Sequence, residues 1–109
     1  MVVGVCRLTL LFPAAQSLKD KRSSLRKITE RVKSRFNAAV AEVADQDSWQ
    51  RCTIGVSVVS NASDHAQSML DKICDHIEQS YIGEICDRQA ELLHYADDDG
   101  WPDDDRVEF

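Results

Sequence analysis

Val2-Val-Gly-Val-Cys-Arg-Leu-Thr-Leu-Leu-Phe12, then Leu18-Lys-Asp-Lys-Arg-Ser-Ser-Leu-Arg-Lys-Ile-Thr-Glu-Arg-Val-Lys-Ser-Arg-Phe36, is the stretch that decides the fold. In the first run Val2, Gly4, Cys6, Leu8, Leu10 and Phe12 fall on one side of an alternating pattern, which predicts a strand with a core face. Pro13 helps to end it. In the second run Leu18, Leu25, Ile28, Val32 and Phe36 form one stripe at about 100° per residue, which predicts a helix packed on a sheet. Ser17 is a good N-cap, and Asp20 stands where a capping box places its acid.

Two short alternating runs follow (Ala38 to Ala44, Arg51 to Val59). A second helical run spans Ala66 to Tyr81, with Ala66, Leu70, Ile73, Ile77 and Tyr81 as its stripe. A last alternating run lies near Glu91 to Tyr95. The order strand–helix–strand–strand–helix–strand predicts an α+β, ferredoxin-like βαββαβ sandwich. Its four-stranded antiparallel sheet has the order 4-1-3-2, and both helices lie on one face. Leu25, Ile28, Val32, Ile54, Val56, Ile73 and Ile77 are expected in the core. Because this fold carries many unrelated functions, function has to be read from sites.

The 109 residues suit one domain, expected over residues 1–96. Val2 to Phe12 is far shorter than a membrane span, and no basic segment precedes it, so neither a membrane helix nor a signal peptide is read. Cys6, Cys52, Cys74 and Cys86 stand singly, and reduced thiols in a cytoplasmic protein are the expectation.

Charge is unevenly placed. Residues 97–109 hold seven acids and one base, or −6, the whole net charge of the chain. This acidic tail is expected to be solvated and disordered. The first helix is its opposite. From Lys19 to Arg35 there are eight bases against only Asp20 and Glu30. Lys19, Arg22, Arg26 and Lys33 line one border of the apolar stripe; Lys27, Arg31 and Arg35 lie toward the other. Such side chains either cover apolar edges with their stems or form a basic ridge for RNA or phosphate. Lys21 falls inside the stripe. It either snorkels past the sheet or offers an ammonium to an anion at the strand–helix junction.

Gln16-Ser-Leu-Lys-Asp-Lys-Arg22 resembles the Ser-Leu-Lys-x-Lys-Arg segment of the YlxP-like family, a small bacterial domain of unknown function. The resemblance continues through Arg35-Phe-Asn37, Val40-Ala-Glu-Val43, Gln46-Asp47, Trp49-Gln-Arg51 and Gly55-Val-Ser-Val-Val-Ser-Asn61. It covers roughly residues 1–81, is weaker in the last strand and excludes the acidic tail. It implies a ferredoxin-like domain without assigned enzymatic activity. Genes of that family often lie among those for translation initiation and ribosome assembly, which implies an RNA- or ribosome-associated role.

The sheet face away from the helices should carry Val3, Val5, Arg7, Thr9 and Leu11, with Arg51, Thr53, Gly55, Ser57 and Val59. No aromatic residue stands there to stack a base, which argues against binding in the manner of an RNA-recognition motif but not against backbone contact through the first helix. Arg7 and Arg51 could form a small anion-binding face. Val3, Val5, Leu11 and Val59 either stand as scattered apolar surface residues or cluster in a contact, with a homodimer as the leading form. Trp49, in the loop Asp45-Gln-Asp-Ser-Trp-Gln-Arg51, either anchors a hairpin or meets a partner.

Catalytic chemistry is not legible. His65 and His76 are expected on the solvent side of the second helix and His94 near the ordered end of the chain, with no spacing to a shared metal or nucleophile. Gly4, Gly55, Gly83 and Gly100 stand alone, so no phosphate loop and no cofactor are read. Two function classes remain: an RNA- or ribosome-associated module using the first helix with Arg7 and Arg51, and a protein-interaction or homodimerisation module using the open sheet face and Trp49.

Overall fold

The first apolar run becomes β1 (Val2–Leu11) and the helical run α1 (Leu18–Arg35) in a computed structural model that describes residues 1–96. β2 (Ala39–Ala44), β3 (Arg51–Ser60), α2 (Ser63–Gln79) and β4 (Glu84–His94) follow. The acidic tail expected over 97–109 lies outside the described residues.

Local chemistry starts α1 as its sequence suggests. Ser17 Oγ accepts a hydrogen bond from the Asp20 backbone N–H at 3.1 Å. The Asp20 carboxylate in turn accepts from the Gln16 N–H at 3.1 Å, one residue outside the usual capping box. At the other end the Phe36 N–H closes onto Val32 O.

Every strand pairs antiparallel, in the order β2-β3-β1-β4, the ferredoxin-like arrangement. Cys6, Leu8 and Leu10 of β1 and Ile54, Val56 and Val58 of β3 meet Ile28 and Val32 of α1 and Leu70, Ile73 and Ile77 of α2 in one core. Both helices therefore cover the same face. Each aliphatic side chain buried there contributes roughly 1.5–3 kcal/mol relative to exposure. Gly4 lets α2 close on β1, since a Cβ there would lie 3.0 Å from Val58 and 3.1 Å from Leu70. Among the described residues no helix is long and apolar enough to cross a membrane.

Three expectations change. β4 begins at Glu84, seven residues before the alternation that marks its end. Only Ile85 and Leu92 of this strand pack on the core, so its polar first half carries no period; pairing with β1 along the whole length makes it a strand. Tyr81 does not belong to the second helix. Its φ of 56° is left-handed, α2 stops at Gln79, and the side chain is 92% exposed. Leu25, expected in the core, is half-buried at the margin of the α1 stripe.

Candidate functional site

Lys21 is fully buried. Its Nζ donates to the carbonyl oxygens of Asp45 at 2.9 Å, Gln46 at 3.2 Å and Arg51 at 3.4 Å, and lies 3.2 Å from Glu42 Oε2. The ammonium neither snorkels to water nor faces an anion from solution: it joins α1 to the turn between β2 and β3. Lys21 is thereby removed from the candidate anion-binding set, because its donors are already used inside the molecule.

The turn it grips is built around Asp45, whose φ of 62° aspartate tolerates better than most residues. Asp45 Oδ2 accepts from Thr53 Oγ1 at 2.6 Å and from Arg51 Nε at 3.3 Å. The Thr53 hydrogen bond, and then the Arg51 guanidinium, hold the Asp45 carboxyl below its ordinary range. Beneath it, burial and the neighbouring Glu42 push the Cys52 thiol up to about 12. Sequence alone singles out neither Glu42 nor Thr53, and Asp45 only as the first residue of the loop to Arg51. Their only signal is that a lysine inside an apolar stripe demands buried acceptors somewhere else in the chain.

The rest of the basic helix faces outward. Lys19, Arg22, Arg26, Lys27, Arg31, Lys33 and Arg35 are all exposed, and none forms an ion pair with a described residue. At about 100° per residue Arg22, Lys33, Arg26 and Lys19 occupy an arc of about 60°, and at about 1.5 Å per residue they extend along roughly 21 Å of helix. Arg31 and Arg35 stand instead beside α2. There His76, expected on the solvent side, is half-buried edge-on to Phe36, with ring centroids 5.8 Å apart. Burial, then Arg35 and Arg31, pull the His76 pKa down.

Arg7 and Arg51 are exposed on the opposite side of the sheet from α1. The seven candidate basic residues thus divide into an outward row on α1 (Lys19, Arg22, Arg26, Lys33), a buried clip (Lys21), and two side chains on the open face (Arg7, Arg51). They do not form one anion site.

The open face is a grid set by register. Val59, Val3 and Leu93 stand side by side across β3, β1 and β4; the next rows are Ser57, Val5, Glu91 and then Gly55, Arg7, Gln89. Val43, the extra residue of a bulge in β2, lays its side chain over Gly55. A shallow depression of about 660 Å³ lies over this centre, lined by Val5, Arg7, Ala41, Val43, Ser57 and Glu91 among others. Val3, Val5 and Val59 therefore share one end of the face. Trp49, half-exposed, precedes β3 at the other end and does not join them.

Most of the thiols are enclosed. Cys6, Cys52 and Cys74 are buried and Cys86 is exposed. A hydrogen bond to Cys6, together with burial, pushes the Cys74 thiol up. His65 Nδ1 lies 3.0 Å from Ser60 Oγ. Among the described residues no group of three or more His, Cys, Asp or Glu side chains is placed to hold a metal ion.

The family model for a protein of unknown function, DUF503, matches residues 3–90. The uncharacterized protein YlxP of Bacillus subtilis (strain 168) is 31% identical over 77 residues, which are 71% of this chain and 84% of the relative. A de novo designed protein with a ferredoxin fold matches at a TM-score of 0.51 and 13% identity, covering 100% of this chain and 98% of the design. That likeness concerns the fold alone.

Proposed function

From the premise that this chain belongs to the DUF503 family of proteins of unknown function, we propose that it is an RNA- or ribosome-associated accessory factor that contacts phosphates through α1. The observation that carries the reading is the row Lys19, Arg22, Arg26 and Lys33, exposed along one border of the helix without a carboxylate bound to any of them among the described residues. Edge cover alone would be served as well by uncharged long side chains, whereas four cations in one row present a single sign of charge along the helix. Each of these can neutralise a phosphate and release its counterion. The open face has no aromatic platform at Arg7, Thr9, Thr53 or Gly55, so recognition runs through the backbone and shape of the RNA rather than stacked bases.

Immobilised full-length protein incubated with a cell extract at low salt tests this. The expected result is retention of ribosomal particles or structured RNA, released by moderate salt and lost when Lys19, Arg26 and Lys33 are changed to glutamate. Retention of no RNA at low salt would overturn it.

A further inference from the structure

We propose that the open sheet face binds a second copy of this chain, sheet against sheet, in a two-fold dimer that leaves α1 of each copy outward. The inference is independent of the α1 reading, because it rests on the other side of the sheet.

Size comes first. Strands about 4.8 Å apart and rising about 3.4 Å per residue give this four-stranded face a projected area of about 600 Å². Two such faces in contact remove about 1,200 Å² or more, the lower bound of a stable protein–protein interface. One α1 helix, by comparison, offers a partner only a narrow ridge.

Composition comes next. Val3, Val59 and Leu93 form a continuous apolar row across three strands, and Val59 is 60% and Leu93 44% exposed. Val5 and Val43 extend it toward the centre, where Val43 is 52% exposed. This is a connected strip at one end of a sheet and not a scatter of single valines.

Charge identifies the occupant. A two-fold contact uses the same surface twice, so the face has to complement itself. It does: Arg7 stands exposed at the centre, while Asp87 and Glu91 stand exposed along the adjoining strand β4. None of the three forms an ion pair with a described residue. With the two sheets centred on each other, the long Arg7 side chain of one copy has only about one strand spacing, about 4.8 Å, to cross to the acidic β4 margin of the other. A uniformly charged face would repel its own copy; a face divided in this way does not.

Sedimentation equilibrium of nuclease-treated full-length protein tests the proposal, at about 100 μM and at several salt concentrations. Wild type should be a dimer. Val5→Glu should weaken the dimer by about 100-fold or more, with an unchanged circular dichroism spectrum. Arg7→Glu and Glu91→Arg, both at exposed positions, should each weaken it by about tenfold, and the double variant should regain most of the loss. A wild-type monomer at that concentration would overturn the proposal. So would a dimer that survives Val5→Glu, or a double variant no better than either single one.

Discussion

Lys21 Nζ lies 2.9 Å from the carbonyl oxygen of Asp45, a contact that spans 24 residues of chain and fixes α1 against the turn from β2 to β3. It gives that turn an anchor which apolar packing cannot supply, because three backbone carbonyls there point inward and require a donor.

Lys21→Met should therefore destabilise the fold strongly. The thioether fills the stem's volume but leaves the three carbonyls without their donor and Glu42 without its cation. Glu42 is 22% exposed and recovers some hydration, which moderates the cost. We expect a loss of about 2–4 kcal/mol in urea unfolding. A loss below about 0.5 kcal/mol would show that water replaces the ammonium.

The Asp45 carboxylate predicts a pH dependence. Its folded pKa is held below the ordinary value, chiefly by the Thr53 hydroxyl. Its contribution to stability is thus complete above the unfolded value of 3.8 and is lost as pH falls through the lower folded pKa. Thr53→Val should move the Asp45 titration, followed by carboxyl NMR, upward toward 3.8, and acid unfolding should begin at a higher pH. An unmoved titration would assign the shift to Arg51 alone.

Much of this fold is legible from hydrophobic period, and the exceptions have physical causes. The stripes of α1 and the alternation of β1 and β3 read directly because each buries one side. The first half of β4 does not, since Arg88 on its helix-facing side forms an ion pair with Asp71 of α2 where a hydrophobic residue would have marked a strand. Lys21 is conspicuous in sequence, but its acceptors are backbone atoms of a distant turn, and no residue type announces a carbonyl. Alternation does place Arg7 and Arg51 on the face away from α1. With both helices expected on one side, that same alternation already separates them from Lys19, Arg22, Arg26 and Lys33.

The acidic tail should weaken RNA binding. Residues 97–109 carry −6, while Ser17 to Phe36 carries eight bases and two acids, +6, of which buried Lys21 leaves +5 at the surface. Tethered opposite charges meet at high effective concentration, although each exposed pair is weak and screened by salt. Deleting residues 97–109 should raise RNA affinity at low salt and change unfolding free energy by less than about 0.5 kcal/mol. Equal affinity with and without the tail would remove the competition.

The central claim, phosphate contact through α1 and not through the open face, is tested most directly by the salt dependence of RNA binding. Fluorescence anisotropy with a labelled structured RNA should give log K falling linearly with log salt concentration. Changing Lys19, Arg26 and Lys33 to glutamine should lower the slope by about 2–3, at roughly 0.7–0.9 per lost phosphate contact, while Arg7→Gln and Arg51→Gln leave it unchanged. A slope that ignores the α1 changes but falls with Arg7→Gln would contradict the account, as would the absence of binding at low salt.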